Sequence, residues 1–368
     1  WAAWTPTQCP SPPPPTIRLR LSRSTLKMSA HIFTRPSTSS LTTTQPSESM
    51  PVLPNVKPGY LQDELSASPS EAMLVTLVAA RDAALRRSGS VGVSHMTRLV
   101  VYAADQTHST FFKACHLAGF DPANIRSIPT GPETNYGLNP TKLLEVMQAD
   151  VDAGLVPTYV CATVGTTSSN AVDPVGAIAN IATMFNPWVH VDAAYAGSAC
   201  ICPEFRHHLD GVEHVDSISM SPHKWLLTCL DCTCLYVRDA HQLSDSLETN
   251  PEYLKNDATE SGEVTDLKDM QVGVGRRFRG LKIWMVMRTY GTAKLQEHIR
   301  SDVVMAKMFE DFVRADNRFE VVVPRNFALV CFRIKPSGCM TEEHADEAST
   351  NGETEQDWQG LSCTHDGW

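Results

Sequence analysis

The chain has 368 residues, of which 42% are hydrophobic and 20% are charged, and its formal net charge is -10. This acidity argues against a nucleic-acid or an anionic membrane partner and favours a small-molecule ligand or a protein partner. The sequence has no apolar run near the roughly 18 residues of a membrane span and no N-terminal signal peptide, which predicts a cytoplasmic protein.

Residues 1–46 are rich in Pro, Ser and Thr and show little periodicity, which predicts disorder. The first clear helix begins in the sequence SPSE at 68–71, a capping box with proline at the first helical position. An apolar run follows, and Gly89 ends it. We therefore predict that the folded part of the chain starts with this helix.

Strands and helices alternate after this helix. Strands are predicted at 99–104, 158–165, 188–194, 217–225 and 232–239, and helices at about 108–118, 141–154 and 176–185. This order predicts an α/β fold with a mainly parallel sheet covered by helices on its faces. In such sheets, ligands bind beyond the carboxyl ends of the strands.

The eleven cysteines are odd in number and mostly lie in apolar runs, which is typical of reduced thiols. Cys229, Cys232 and Cys234 approach the spacing of a zinc site, but a second matching pair is missing. We predict buried strand cysteines, no disulfides and no metal.

Polar side chains stand where the predicted strands end, and they would converge at one edge of the sheet. They are His108, Thr166, Thr167, Asp192, His223 and Lys224. A lysine in a semi-buried apolar setting can attack a carbonyl as a free amine, because desolvation disfavours the charged form. The carbonyl could belong to pyridoxal phosphate, which needs a lysine, an acid beside its ring nitrogen, a surface for the ring and donors for the phosphate.

The chain offers a residue for each of these needs. Asp192 is the acid for the ring nitrogen, Ala194 is small enough to let the ring lie flat, and His108 can stack on the opposite face. Ser70, at the start of the capped helix, can donate its hydroxyl to the phosphate. Each of these residues, taken singly, also has an ordinary structural explanation. An Asp at a strand end is a common turn residue, a His is commonly a hydrogen-bonded core or surface group, and a Ser is a common helix cap.

Several long segments carry a resemblance to a known family. They are VHVDAAYAGSACICPEFRHHLDGVEHVDSISMSPHKWLLTCLDCTCLYV at 189–237, ADQTHSTFFKACHLAGF at 104–120, CATVGTTSSNAVDPVGAI at 161–178 and VGVGRRFRGLKIWMVMRTYG at 272–291. Together they closely resemble the group II pyridoxal-phosphate decarboxylases, specifically plant aromatic-L-amino-acid decarboxylases of the tryptophan type. The resemblance implies a large domain of the aspartate aminotransferase type, a C-terminal small domain, pyridoxal 5'-phosphate as cofactor and a homodimer.

The resemblance also implies a role for each candidate residue. Lys224 would carry the cofactor covalently, Asp192 would pair with the pyridinium, and His108 would stack on the ring. The other cofactor contacts would come from Thr167, Ala194, Ser70, His223 and Ser221.

Two further residues would decide the product and the substrate. In this family a tyrosine in the pattern NPEYLK protonates the carbanion left after carbon dioxide departs, whereas related plant enzymes with phenylalanine there look like aldehyde synthases. Tyr253 therefore implies an amine product. Gly275 stands where tryptophan-type enzymes have glycine and tyrosine-type enzymes have serine, which leaves room for an indole. A backbone requirement for glycine is the alternative explanation for this position.

The resemblance divides the chain into five segments. Residues 1–46 are unlike the family, 47–67 resemble a remnant of its N-terminal segment, 68–300 form the cofactor-binding large domain, 301–347 begin an incomplete small domain, and 348–368 form an aberrant tail. A large family segment is missing between 65 and 68, and a shifted reading frame at either end would yield family-like sequence. We therefore expect a truncated or mis-framed copy.

The main hypothesis is a carboxy-lyase that converts tryptophan to tryptamine and carbon dioxide. One alternative is a catalytically inactive family member, either a pseudogene product or a partner of intact subunits. The other is a tyrosine or dopa decarboxylase, or an aromatic aldehyde synthase.

Overall fold

The computed structural model describes residues 62–66, 68–89, 93–249, 251–254, 266–275 and 277–335. The predictions for residues 1–46, for most of 47–67 and for 348–368 lie outside these residues. Within the described residues, no helix is both long and apolar enough to cross a membrane.

A seven-stranded sheet forms the centre of the fold. Its strand order is β1-β7-β6-β5-β4-β2-β3, and β7 runs antiparallel to both of its neighbours while the other six strands are parallel to one another. The strands are β1 (Gln62–Ser66), β2 (Leu99–Ala104), β3 (Ile125–Ile128), β4 (Val156–Thr163), β5 (Trp188–Asp192), β6 (Ser217–Met220) and β7 (Thr233–Val237). The predicted mainly parallel α/β fold is confirmed.

Helices connect the strands and cover the sheet. They are α1 (Pro69–Arg87), α2 (Val93–Met96), α3 (Thr110–Leu117), α4 (Pro140–Asp152), α5 (Val175–Phe185), α6 (Pro222–Trp225), α7 (His241–Leu247) and α8 (Gly280–Ala315). A separate hairpin of β8 (Phe319–Val321) and β9 (Phe332–Ile334) follows α8.

Helix α1 begins as its sequence predicts. The Ser68 hydroxyl accepts a hydrogen bond from the Glu71 amide at 3.3 Å, which satisfies one of the free N–H groups of the first turn. Pro69 is the first helical residue, and basic residues occupy the last turn. Nine residues of this helix are buried, so it is anchored by packing as well as by its cap.

The sheet is buried on both faces. In β2, Val100, Tyr102 and Ala104 belong to one hydrophobic cluster, and the alternate residues of the same strand belong to a second cluster on the opposite face. All six residues of β2 are buried. This pattern is expected of a parallel strand covered by helices on both sides.

One predicted strand is partly wrong. The strand predicted at 217–225 ends at Met220, and residues 222–225 form the short helix α6. Pro222 explains the change, because proline has no backbone N–H to continue a sheet ladder and is well suited to the first turn of a helix. Strands β1, β3, β8 and β9 and helices α2, α7 and α8 were not predicted.

The prediction that the strand cysteines are buried is confirmed in part. Cys234 in β7 and the neighbouring Cys232 are buried, but Cys229 is exposed. Eight cysteines lie in the described residues, and all eight are free thiols. Among the described residues, no group of three or more His, Cys, Asp or Glu side chains is placed so that it could hold a metal ion.

Helix α8 is 36 residues long but is interrupted at Gly291. The backbone of Gly291 has φ 68° and ψ 167°, a conformation open in practice only to glycine. Four residues of the whole helix are buried, namely Leu295, Ile299, Ala306 and Val313. The domain boundary predicted between residues 300 and 301 falls inside this helix, and it stays a prediction.

Candidate active site

Strand register brings the candidate residues to one edge of the sheet. Asp192, the last residue of β5, lies opposite Thr163 of β4 and Ser219 of β6. Beyond the strands, the Ser221 amide donates to the Ala194 carbonyl at 3.1 Å. The backbones that carry Asp192, Ala194 and the start of α6 are therefore held side by side at the carboxyl ends of parallel strands.

Asp192 is buried, with 6% of its surface exposed, and its Oδ1 accepts a hydrogen bond from the Ala194 amide at 3.0 Å. His190 lies two residues earlier in β5 and is completely buried between the hydroxyls of Ser217 and Ser219. Burial lowers the pKa of His190 to about 4, so this ring stays neutral at physiological pH. The carboxylate of Asp192 is thus oriented by the backbone next to it.

His108 follows β2 and shares its surroundings with two charged site residues. Desolvation lowers the pKa of His108, the positive charge of Lys224 lowers it further, and the negative charge of Asp192 opposes both. The Thr110 amide donates to Nδ1 of His108 at 3.1 Å. The result is an imidazole that is neutral at physiological pH, near the amine and the carboxylate expected to flank a cofactor.

Lys224 lies on α6, where its amide donates to the Ser221 carbonyl at 2.9 Å. Its side chain is exposed in the described structure. The expectation of a semi-buried lysine within a strand is therefore wrong, because Pro222 starts a helical turn that carries the side chain out of the sheet. The amine is presented at the strand ends rather than embedded among apolar groups.

An aromatic pair next to the site was missed from the sequence. Tyr195 follows Ala194, Trp225 follows Lys224, and their rings stack with centroids 4.7 Å apart and an interplanar angle of 8°. The Trp225 Nε1–H donates to Asp302 of α8 at 2.8 Å, and Phe327 contacts the indole edge-on. The sequence did carry a signal, since Ala194 and Lys224 are each followed by a large aromatic residue. The two aromatic residues are distant in sequence, so their stacking could not be predicted.

The turn after β4 separates the two threonines. Thr166 is buried, and its hydroxyl accepts a hydrogen bond from the Ala171 amide at 2.9 Å, whereas Thr167 is exposed. Asn170 and Asn326 join this turn to the C-terminal part through reciprocal side-chain-to-carbonyl hydrogen bonds. Thr166 is therefore a structural turn residue, while Thr167 is the one presented to solvent.

The predicted phosphate-site residues differ in their surroundings. Ser70 is exposed at the start of α1, with its Oγ 3.2 Å from the Thr110 Oγ1. The His223 ring is fixed by the backbone of Cys232, with Nδ1 3.1 Å from the amide nitrogen. Ser221 is buried, and its hydroxyl is hydrogen-bonded to Thr233 of β7 at 3.0 Å. The structure thus links Ser70 to His108 through Thr110, but it places the Ser221 hydroxyl inside the sheet.

Tyr253 and Gly275 are not packed into the site. Tyr253 is 82% exposed in a short turn at Glu252–Leu254 and makes no hydrogen bond or ring contact within the described residues. A Cβ built on Gly275 meets no described atom within 4 Å, and its φ lies outside the left-handed range. The described chain therefore gives no backbone reason for glycine at 275.

The assembled groups fit pyridoxal phosphate by their chemistry. An exposed primary amine, a buried carboxylate, a neutral imidazole and a small buried alanine meet at one sheet edge. A hydroxyl stands at the N-terminus of a 19-residue helix, where backbone N–H groups and the helix dipole favour a phosphate.

Comparisons with known proteins identify the family of the chain. Residues 59–335 match the family model described as the pyridoxal-dependent decarboxylase conserved domain, and the chain belongs to that family. Among curated relatives, Tryptophan decarboxylase 1 of Oryza sativa subsp. japonica is 83% identical over 283 residues, which are 76% of this chain and 55% of that protein.

Two solved structures extend the comparison. The structure of Oryza sativa TDC with PLP and tryptamine has 80% identity and a TM-score of 0.74, and the match covers 79% of this chain and 60% of that chain. The Catharanthus roseus tryptophan decarboxylase in complex with L-tryptophan has 54% identity and a TM-score of 0.70, with the same two coverages. The chain thus spans a little over half the length of the relatives it matches.

Proposed function

We propose that this chain is a pyridoxal-phosphate-dependent carboxy-lyase that converts an aromatic L-amino acid, tryptophan, to its amine and carbon dioxide. The observation that carries the proposal is the meeting of Lys224, Asp192 and His108 at the carboxyl ends of the parallel strands. The substrate is inferred from the 83% identity to a tryptophan decarboxylase. Because the chain spans only part of its relatives, activity and substrate are tested on this chain itself.

Each residue has a defined task in this proposal. The Lys224 amine holds the cofactor, and Asp192 keeps a proton on the nitrogen of its ring. With the cofactor bound, Ala194 would leave one ring face uncovered, and the neutral His108 would lie against the other. Pyridoxal phosphate, when bound, supplies an electron-accepting ring that stabilises the charge left when carbon dioxide departs.

Tyr253 is proposed to return the proton to the substrate Cα as a general acid. Its exposed position in the described chain means that its turn has to approach the cofactor of the same subunit or of a second one. The proposed homodimer offers the second route, and the exposed apolar residues near the start of α8 support it: Phe278, Leu281, Trp284 and Met285. The cytoplasm remains the proposed location.

The test uses the purified chain with added pyridoxal phosphate. The expected result is a visible absorbance band from covalently held cofactor, together with tryptamine formed from tryptophan. Lys224→Ala should abolish both, whereas Lys142→Ala, an exposed lysine on α4, should leave both unchanged. Uptake of cofactor by Lys224→Ala equal to that of the unchanged chain would overturn the assignment of Lys224.

Product and substrate are tested separately. In air-saturated buffer, Tyr253→Phe should shift the product from amine towards aldehyde, with dioxygen as the oxidant and ammonia and hydrogen peroxide released besides carbon dioxide. An unchanged product would remove Tyr253 from the mechanism. Gly275→Ser should favour tyrosine over tryptophan, because a hydroxymethyl group narrows the space for an indole. Unaltered preference would show that position 275 does not choose the substrate, and a wild-type preference for tyrosine or dopa would support the alternative decarboxylase.

The second candidate is an inactive family member that associates with intact subunits. It is favoured by the exposure of Lys224 and Tyr253 in the described chain. Failure of the folded chain to take up cofactor would support this candidate. Restoration of uptake by mixing with a full-length relative would show association between them.

A further inference from the structure

Thr110 connects two residues of the proposed site. It is the first residue of α3, two positions after His108. Its Oγ1 lies 2.8 Å from Nδ1 of His108 and 3.2 Å from Oγ of Ser70, which stands on a different helix. A second contact comes from the Thr110 amide, which lies 3.1 Å from the same Nδ1.

The directions of these hydrogen bonds follow from the chemistry of the donors. A backbone N–H only donates, so Nδ1 of His108 is an acceptor and carries no proton. The Thr110 hydroxyl therefore also donates to Nδ1, since Nδ1 has no hydrogen to offer. A hydroxyl has one hydrogen and two lone pairs, so Thr110 accepts from the Ser70 hydroxyl. The order is Ser70 to Thr110 to His108.

This arrangement selects one form of the His108 ring. With Nδ1 as acceptor, the neutral ring carries its hydrogen on Nε2. Thr110 supplies both donors that hold Nδ1, one from its backbone and one from its side chain. Desolvation and the charge of Lys224, which lower the pKa of His108, act in the same sense by disfavouring a second proton.

We propose that Thr110 is a positioning residue that holds His108 as the neutral Nε2–H tautomer and transmits to it the state of the Ser70 hydroxyl. The second half rests on the proposed function, in which Ser70 donates to a phosphate. A Ser70 that turns its hydrogen to a phosphate oxygen no longer donates to Thr110. The Thr110 hydroxyl then becomes a weaker donor to Nδ1, because hydrogen bonds in a chain strengthen one another.

The experiment measures ring nitrogens directly and needs no loaded enzyme. The full chain is prepared with ¹⁵N-labelled histidine, and NMR spectra are recorded at neutral pH with and without inorganic phosphate. The chain has 13 histidines, so the His108 signals are assigned as those lost in His108→Gln. The unchanged chain should show Nδ1 unprotonated and Nε2 protonated, and phosphate should shift the Nδ1 signal.

Three variants separate the steps. Thr110→Val keeps the shape and the backbone donor but removes the hydroxyl. With one donor to Nδ1 instead of two, it should admit a detectable fraction of the other tautomer and lose the phosphate response. Thr110→Ser should restore both. Ser70→Ala should keep the tautomer but lose the phosphate response. The spectra of the remaining histidines show whether each variant is folded.

The outcomes distinguish this inference from the proposed function. An unchanged tautomer in folded Thr110→Val would show that the backbone amide alone holds the ring, and it would overturn the role of the Thr110 hydroxyl. Absence of phosphate binding by equilibrium dialysis of the unchanged chain would instead refute the phosphate role of Ser70. In that case the tautomer in Thr110→Val still decides the positioning role.

Discussion

The two ends of the described chain differ in how completely they bury their own apolar residues. In α1, nine of 19 residues are buried, while in α8 only four of 36 are. Large apolar side chains on the second half of α8 are exposed, including Val304, Met305, Met308 and Phe312. The sheet and its covering helices, which we call the sheet unit, therefore bury many of their own apolar residues, whereas the C-terminal part leaves large apolar side chains exposed in the described chain.

The largest effect is expected from a core residue of the sheet unit. Phe111 of α3 is completely buried and contacts Tyr159 and Phe112. Phe111→Ala should lower the free energy of unfolding by about 3–5 kcal/mol, because it removes apolar contacts and leaves a cavity. Urea denaturation followed by circular dichroism measures this loss. A decrease below about 1 kcal/mol would show that the unit is not tightly packed.

Asp173 should give the next largest effect. It is completely buried and accepts hydrogen bonds at 2.7 Å from the amides of Leu138 and Thr163. Asp173→Ala leaves two buried donors unpaired, which should cost about 3 kcal/mol. Denaturation by urea at neutral pH measures this cost, and Asp152→Ala, at an exposed position, is the control.

The Asp173 variant also carries a pH signature. Burial raises the pKa of Asp173 to about 6, from 3.8 in an unfolded chain. The folded chain therefore holds this proton more tightly, and the resulting stability is present below about pH 4 and lost as pH rises through about 6. The stability difference between the unchanged chain and Asp173→Ala should thus be larger at pH 4 than at pH 7, by up to about 3 kcal/mol. An equal difference at the two pH values would contradict the raised pKa.

A smaller effect on the free energy of unfolding is expected where helix α8 contacts the sheet unit. Asp302 of α8 accepts the hydrogen bond of the buried Trp225 indole. Asp302→Ala should destabilise the chain by about 1–3 kcal/mol, because it leaves this donor unpaired, whereas Asp302→Asn should retain most of the stability. Thermal unfolding of both variants, with the exposed Asp311→Asn as control, measures the difference. Equal losses in Ala and Asn would mean that charge, not the hydrogen bond, matters.

The smallest effect on stability is expected on the exposed face of α8. Phe312 is 69% exposed, so Phe312→Ser should change the free energy of unfolding by less than about 0.5 kcal/mol. The same variant should decrease self-association, measured by sedimentation velocity, because it interrupts an apolar patch. A large loss of stability would show instead that this face packs within the single chain.

The contrast also explains what the sequence could predict. The helix cap, the buried strands and the strand-end residues of the sheet unit were predicted from local patterns. The structure confirms the Ser68 cap and the buried strands, and it places Asp192 at the end of β5. Tyr195, Trp225 and Asp302 were missed because their contacts join residues far apart in the sequence, 77 positions in the case of Trp225 and Asp302. The exposure of Lys224 was missed because one proline converts the end of a strand into a helical turn.

Gly291 has a consequence for how substitutions accumulate in the two halves of α8. In an unbroken helix, the 3.6-residue period ties the buried face of one half to that of the other. The conformation of Gly291 interrupts this register. The apolar pattern of residues 280–290 is therefore not tied to that of residues 292–315, and each part can change its pattern independently. A Cβ at 291 meets no described atom within 4 Å, so a larger residue there would be disfavoured by the backbone angles and not by a lack of space.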